Sequence, residues 1–219
     1  MTNAPDDPQT PAIRPRVRDA EATKARILAA AKKEFAKSGL GGARVDVIAE
    51  KAKANKRMIY HYFSSKESLF QKVLEDAYID IRTAEQKLNL DHLDPQDALE
   101  RLVRFTWGYY LRNPEFLTLV NSENLHRAKH LQKSEVVKVY SRKFVSMVAT
   151  ILDRGVADGV FRSGIDPVQL NLTIAAIGYY YLTNRYTGSF QFERDLMAQP
   201  ALDERLRFNI DTILRLVAA

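Results

Sequence analysis

The chain has 219 residues, of which 46% are apolar and none is cysteine. This composition allows a sizeable core and excludes general disorder, disulfides, thiolate metal ligands and a cysteine nucleophile. The net charge of +6 comes entirely from residues 1–70, which carry 14 basic residues (Lys and Arg) against 8 acidic residues (Asp and Glu). Residues 71–219 carry 19 basic and 19 acidic residues. The asymmetry favours a basic polyanion-binding module joined to an electrically balanced body, with a lysine-rich solvated surface as the alternative.

Residues 1–18 contain four of the eight prolines together with Arg14, Arg16 and Arg18. Such a composition predicts a flexible basic arm. An arm of this kind either follows a phosphate backbone or enters a minor groove, or it is an inert tail.

From Asp19 onward the sequence shows only helical periodicity. A first helix is predicted from Ile27, Leu28, Ala31 and Phe35, which share one face. We expect Gly39 to end this helix with a left-handed cap, and the GLGG segment at 39–42 to form a loop.

The next segment, to Phe63, predicts two short helices joined by a tight turn. The apolar stripe of the second helix is Val45, Ile48, Ala49 and Ala52. Asn55 is a favourable N-cap for a third helix that runs to about Tyr62 and turns Ile59 and Phe63 inward. Because its remaining residues are basic and aromatic, this third helix suits insertion into a major groove.

Ser64 and Glu67 form a capping-box pattern that predicts a long fourth helix over about 65–88. Its apolar residues recur at spacings of one, three and four, so one side should be buried. They are Leu69, Phe70, Val73, Leu74, Ala77, Tyr78 and Ile81.

Further helices are announced by an Asp or Asn followed by proline at 94–95, 113–114 and 166–167. Two more are predicted at Ser134–Asp158 and Asp203–Val217. The sequence therefore predicts an all-α protein with an arm (1–18), a helix-turn-helix domain (19–66) and a helical body (67–219).

The first 70 residues resemble the DNA-binding domain of TetR-type transcriptional regulators. The resemblance rests on Phe35 and Gly39, on VDVIAEKA, on ANKRMIYHYF and on the following SSKESLF. A looser match in the body is NPEFLTLVNSENLHRAKHL. The resemblance implies a wholly helical homodimer whose C-terminal domain dimerises and holds a small effector.

Residues at matching positions are expected to contact DNA. The start of the third helix would reach base edges, the residues after it the backbone and groove walls, and the start of the fourth helix a phosphate. The candidates are Arg44, Lys56, Arg57, Met58, Tyr60, His61, Tyr62 and Lys66. For Tyr62, simple packing beside Phe63 is an almost equal alternative.

Two positions depart from the family pattern. Lys53 stands in the turn where glycine is common, so either the backbone there avoids a left-handed conformation or a strain of about 1 kcal/mol is tolerated. Ala43 and Arg44 replace the usual hydroxyl cap of the second helix. The cap should be weaker, while Arg44 could offer its own phosphate contact.

The effector pocket implied by the family needs apolar walls with a few placed polar groups. A mixed aromatic and polar set in the body meets that requirement, although each member alone is more often a core residue. The set is Phe105, Trp107, Tyr109, Tyr110, Phe116, Asn121, Asn124, His126, Met147 and Tyr179 to Tyr181.

Metal binding and catalysis find little support. Glu123, His126 and His130 would share a helix face, but Arg127 and Lys129 beside them oppose a cation, so surface or pocket-edge histidines are favoured. No nucleophile elbow, Walker loop or acid–base carboxylate pair occurs. We therefore expect no enzyme, metal or cofactor.

The last two long helices have apolar stripes that suit either internal packing or the dimer bundle of the family. The stripe of the last helix is Ile210, Ile213, Leu214 and Val217. Our leading hypothesis is a dimeric repressor of a near-palindromic operator, released by an effector through residues 65–88. The alternatives are an effector-independent DNA-binding protein and a helical small-molecule-binding protein or enzyme. With no signal-peptide core, and with its longest apolar run (172–183) below the roughly 20 residues that span a bilayer, the protein should be soluble and cytoplasmic.

Overall fold

The structure, a computed structural model, describes the backbone of residues 15–219 and the side chains of residues 19–219. This part of the chain forms helices and an isolated Phe161–Ala218 bridge, without extended strands, which confirms the predicted all-α class. The helices are α1 (Pro15–Gly42), α2 (Val45–Lys51), α3 (Lys56–Phe63), α4 (Lys66–Gln86), α5 (Pro95–Arg112), α6 (Pro114–Leu125), α7 (Glu135–Ala157), α8 (Pro167–Thr183), α9 (Arg185–Gln191) and α10 (Gln199–Val217).

Most of the predicted arm, residues 1–14, lies outside the described residues. The backbone of residues 15–18 forms the first turn of α1. The expectation that the arm reaches DNA therefore stays a prediction.

The first helix does not stop at Gly39, as the sequence had suggested. Gly39 has φ 64° and ψ 177°, which kinks the chain, and helical geometry resumes through Gly42. Its positive φ favours glycine. The GLGG segment is thus a kinked final turn and not an open loop.

The fourth helix begins one residue later than the capping-box pattern indicated. The N-cap is Ser65, whose Oγ accepts the Ser68 N–H at 3.0 Å. Ser64 instead closes α3 with φ 63°, and its N–H donates to the Tyr60 carbonyl at 2.9 Å. Three residues after Ser65 the chain has Ser68 rather than Glu, so the capping-box pattern favours Ser64, and the backbone of the α3–α4 turn selects Ser65 instead.

Two apolar clusters stabilise the molecule. The first joins α1–α4 to α5 and α6, and it includes Phe35 and Phe70, whose rings meet edge to face at 5.0 Å. The second lies among α5, α7, α8 and α10. Because the first cluster continues from α4 into α5 and α6, one apolar core extends across the predicted domain boundary at residues 66 and 67.

The body matches the predicted helix starts at Pro95, Pro114 and Pro167. Asp166 caps α8, since its Oδ1 accepts the N–H groups of Val168 and Gln169. The sequence pattern does not predict α9, and α10 begins four residues before the predicted start at Asp203, because Pro200 occupies the first turn of that helix, where proline is favourable. None of the helices in residues 15–219 is long and apolar enough to cross a membrane.

Candidate nucleic-acid interface

The turn between α2 and α3 fixes where α3 starts. The Lys53 N–H donates to the Glu50 carbonyl and the Ala54 N–H to the Ala49 carbonyl, both at 3.0 Å, which is the Schellman arrangement. Lys53 has φ 49°, so this lysine adopts the left-handed conformation usually taken by glycine. The Oδ1 of Asn55 then accepts the Arg57 N–H at 2.9 Å, which confirms the predicted cap.

The outer face of α3 consists of polar and basic side chains that point to solvent. Lys56, Arg57, Tyr60 and His61 are exposed, and Tyr60 keeps 44% of its surface. Among residues 19–219 no carboxylate forms a salt bridge with Lys56 or Arg57. Only Ile59 on this helix is fully buried. Ile59 is therefore the one fully buried anchor of this helix, which also packs Tyr62 and Phe63 partly against the core and presents unneutralised cations.

Met58 and Tyr62 are half-buried, so less of their surface is available for DNA contacts than the sequence pattern predicts. The Tyr62 ring contacts those of His61 and Phe63, and the Lys24 Nζ of α1 lies 5.5 Å from its centroid. Tyr62 thus has the packing role considered as its alternative. The smaller part of its surface stays accessible to solvent.

Arg44 and Lys66 flank the motif at the N-termini of α2 and α4. Arg44 provides no side-chain cap for α2 and pairs through Nη2 with the Asp46 Oδ2 at 2.6 Å, which leaves both groups exposed. The Lys66 Nζ donates to the Gly41 carbonyl at 3.3 Å, so it bridges α4 to the last turn of α1. Both cations lie at helix N-termini, where the backbone also attracts anions.

A basic patch surrounds the C-terminus of α2, and none of its residues is among the predicted DNA contacts. Arg26 donates from Nε to the Ala52 carbonyl at 3.2 Å, and Lys51 pairs with the buried Glu34 at 2.9 Å. Lys33 and Lys53 line the same surface cavity. The charge excess of residues 1–70 was the available signal for this patch, but spacing alone could not show which lysines share a face.

The residues proposed for an effector pocket do not all meet at one place. Tyr110, Phe116 and Tyr179 form an aromatic cluster with Tyr78 of α4, where the Tyr78 and Phe116 centroids are 5.5 Å apart. Trp107 lies beside Tyr181, 5.6 Å between centroids, and Phe105 contacts Tyr109. The remainder are placed separately: Asn124 and Tyr180 are exposed, His126 contacts Phe70, and Met147 packs on the second core.

Polar groups at the edge of this aromatic cluster form hydrogen bonds with one another. The Tyr109 hydroxyl donates to the Asp80 Oδ2 at 2.7 Å, and the Tyr179 hydroxyl donates to the Asn121 Oδ1. Burial raises the pKa of Tyr179 to about 12. These hydroxyls are neutral hydrogen-bonding groups at physiological pH.

Glu123 and His130 form a buried pair, which explains their spacing without a metal. The Glu123 Oε2 lies 2.7 Å from the His130 Nδ1, while its Oε1 accepts the N–H groups of His130 and Leu131. The His130 ring meets Phe70 of α4 edge to face at 5.2 Å. Because α6 ends at Leu125, the three candidate residues do not share one helix face, and residues 19–219 hold no cluster suited to a metal ion.

The outer faces of α8 and α10 carry exposed apolar side chains. Leu172 and Tyr180 on α8 and Phe208 on α10 keep between 53% and 67% of their surface. Of the two alternatives for the stripe of the last helix, the structure has internal packing: Ile210, Ile213 and Val217 are buried inside the chain, with Leu214 half-buried. Leu172, Tyr180 and Phe208, outside this stripe, are thus available to contact a partner.

Comparisons with known proteins agree with this arrangement. Residues 27–73 match the family described as bacterial regulatory proteins, tetR family, and residues 95–213 match the tetracyclin repressor-like C-terminal domain. The HTH-type transcriptional repressor NicS of Pseudomonas putida is 43% identical over 200 residues, which cover 91% of this chain and 94% of that protein. The HTH-type transcriptional repressor SCO4008 of Streptomyces coelicolor is 39% identical over 64% of this chain and 69% of its own length.

The fold also matches solved structures. A TetR family transcription regulator from Marinobacter aquaeolei superposes with a TM-score of 0.69 at 18% identity, covering 93% of this chain and 98% of that one. A bacterial regulatory protein of the tetR family from Rhodococcus gives a TM-score of 0.70 at 20% identity, covering 90% and 97%.

Proposed function

Since the chain belongs to the TetR family of bacterial transcriptional regulators, and is thus a DNA-binding repressor rather than an enzyme, we propose that it reads a near-palindromic operator as a homodimer. The two copies of α3 would enter successive major grooves about 34 Å apart. The observation that carries this proposal is the capped, singly anchored α3, whose Lys56 and Arg57 have no carboxylate partner among residues 19–219.

Individual contacts follow from where each side chain lies. Lys56, Arg57, Tyr60 and His61 occupy the exposed face of α3 and would meet base edges and groove walls. Arg44 and Lys66 would bind phosphates from the two flanking helix N-termini. Met58 and Tyr62 would contribute the smaller part of their surface that the fold leaves accessible.

The homodimer would form through the outer faces of α8 and α10. Exposed Leu172, Tyr180 and Phe208 lie on these two long helices, and their apolar surface supports a helical bundle between two copies. Twofold symmetry of this bundle would match the symmetry of the operator.

A small-molecule effector would release the operator through α4. This helix carries Lys66 at one end, while Tyr78 and Arg82 along it contact Phe116 of α6 and Phe144 of α7. Binding near the aromatic cluster of Tyr78, Tyr110, Phe116 and Tyr179 would therefore move Lys66 and α3. To weaken operator binding a hundredfold, the effector must favour the non-binding conformation by about 2.7 kcal/mol.

Selection of bound sequences from random duplexes tests the DNA-reading proposal. We expect a palindrome whose half-sites are one helical turn apart, or a multiple of it. Arg57→Ala should relax the preferred bases, whereas Lys66→Ala should weaken all duplexes alike and flatten the salt dependence of binding. Lys138→Ala, an exposed lysine of the body, is the control. Selection of unrelated sequences without symmetry would refute the proposal.

A thermal-shift screen of metabolites tests the effector proposal. A ligand that stabilises the protein and also releases the selected operator would support it, and Tyr78→Ala, in a variant that remains folded, should reduce that release. Stabilising ligands that never affect operator binding would favour the effector-independent regulator.

A further inference from the structure

A cavity of about 270 Å³ lies between α8, α9 and α10, apart from the aromatic cluster that faces α4. Its apolar walls are Tyr180, Tyr181, Phe192 and Leu196. Four polar residues complete the lining and could fix the orientation of a small molecule. They are Asn184, Thr187, Gln191 and Arg205.

The wall formed by residues 192–198 is held in place by specific hydrogen bonds. The Tyr181 hydroxyl donates to the Leu196 carbonyl at 2.8 Å, and the Leu196 N–H donates to the Ser189 Oγ at 3.0 Å. Gly188 lacks a Cβ, which would otherwise lie 2.8 Å from the Leu196 Cδ1. The cavity is thus built by side-chain and backbone contacts, and a glycine allows the wall to approach α9.

Arg205 brings an incompletely satisfied cation to this cavity. Its Nη2 donates to the Ile177 carbonyl at 3.0 Å, but its Nε is buried without an acceptor. No carboxylate forms a salt bridge with Arg205 among residues 19–219, since the neighbouring Glu204 pairs with Arg194. Burial lowers the pKa of Arg205. Arg205 is half-buried, and its guanidinium lies 5.4 Å and 5.3 Å from the ring centroids of Tyr181 and Phe208. Its charge is thus partly removed from water without a carboxylate counterion, and a bound anion would offset that cost.

We propose that this cavity binds a small aromatic carboxylate, whose carboxylate accepts from the Arg205 guanidinium and whose ring packs between Tyr180 and Phe192. The charge of Arg205 selects an acid, and the aromatic walls select a flat apolar body. A volume of about 270 Å³ limits the ligand to one ring with a short acidic arm. This site does not depend on how an effector acts through α4.

A side chain from a second copy of the chain is the competing occupant, because Tyr180 and Phe192 are 67% and 65% exposed on the side of the molecule that carries the dimer face. An apolar insertion would cover these rings and leave the Arg205 guanidinium without a counterion. An aromatic carboxylate would cover the rings and also supply that counterion.

Isothermal titration calorimetry of the full chain with benzoate, phenylacetate and cinnamate tests the proposal, with benzamide as the uncharged probe. We expect saturable binding of at least one acid, one per chain, and no binding of benzamide. Arg205→Met should weaken binding ten- to a hundredfold, because a charge-assisted hydrogen bond is lost. Arg207→Met removes the same charge from an exposed position on α10 and should leave binding unchanged.

Phe192→Ala provides a second test that does not disturb a buried residue, and it should weaken the same acid severalfold. Failure of all three acids to bind would overturn the proposal, as would equal binding to wild type and Arg205→Met. If sedimentation shows that the Arg205 and Phe192 variants lose the dimer while no acid binds wild type, the cavity belongs to the interface and the proposal is wrong.

Discussion

Lys53→Gly should stabilise the protein, because it relieves strain in the turn that positions α3. Lys53 has φ 49°, a conformation that costs a residue with a Cβ about 1–2 kcal/mol. Glycine also gains freedom in the unfolded chain, which takes back about 0.4–1 kcal/mol. The net gain is therefore about 0.5–1 kcal/mol. The Schellman bonds from Lys53 and Ala54 are backbone bonds and survive the substitution.

The measurement is thermal unfolding at fixed protein concentration, since the proposed dimerisation would make the melting temperature depend on concentration. For a chain of this length the gain corresponds to a rise of about 1–4 °C. Lys53→Ala is the matched control: it removes the same charge but keeps the Cβ and thus the strain. If the glycine variant melts at or below the alanine variant, the left-handed turn is not strained and our reasoning fails. Operator affinity should fall equally in both variants if the Lys53 charge contributes to DNA binding.

Three other changes have defined outcomes. Burial raises the pKa of Glu85 from 4.5 to about 7, so its stabilising contribution is full below pH 4.5 and is lost as the pH rises through 7. Glu85→Gln should remove up to about 3 kcal/mol of that pH dependence, as urea unfolding at several pH values would show. Glu135→Gln should alter the pH dependence only below pH 4.5, because the hydrogen bond from Lys138 lowers the pKa of Glu135. Phe208→Glu should shift the dimer to monomers in analytical ultracentrifugation while helicity is kept, and an unchanged dimer would place the interface elsewhere. Tyr109→Phe should cost about 1 kcal/mol in unfolding free energy through the lost bond to Asp80, and a cost near zero would mean that water replaces this bond.

Local signals in the sequence predicted the elements that depend on local chemistry. Asn55 caps α3, and the predicted apolar stripe of α4 from Leu69 to Ile81 is buried except for Tyr78, which is partly buried. The glycine position occupied by Lys53 keeps its left-handed backbone, because the two Schellman bonds outweigh the strain. In these cases the neighbours within one turn decide the conformation.

Features that depend on contacts between residues distant in sequence could not be predicted from local signals. The stripe of Ile210 and Val217 packs inside the chain because α5 and α8 cover it, and only the fold shows that Phe208 remains outside. The spacing of Glu123 and His130 predicted a shared helix face, whereas the chain leaves the helix at Leu125 and the carboxylate accepts backbone N–H groups beyond it. The Arg205 cavity combines residues from three helices and a connecting segment, so no single stretch of sequence announces it.

The single anchor of α3 has a consequence for engineering. Because Ile59 alone is buried on this helix, its outer face can be exchanged for that of a relative with little effect on the core. The whole N-terminal unit is less portable, since the Phe70 cluster includes Phe116 and Leu119 of α6, and a chimera joined at residues 66 and 67 would divide a shared core. New operator specificities should therefore be obtained by grafting the solvent-facing positions of α3 onto the intact chain.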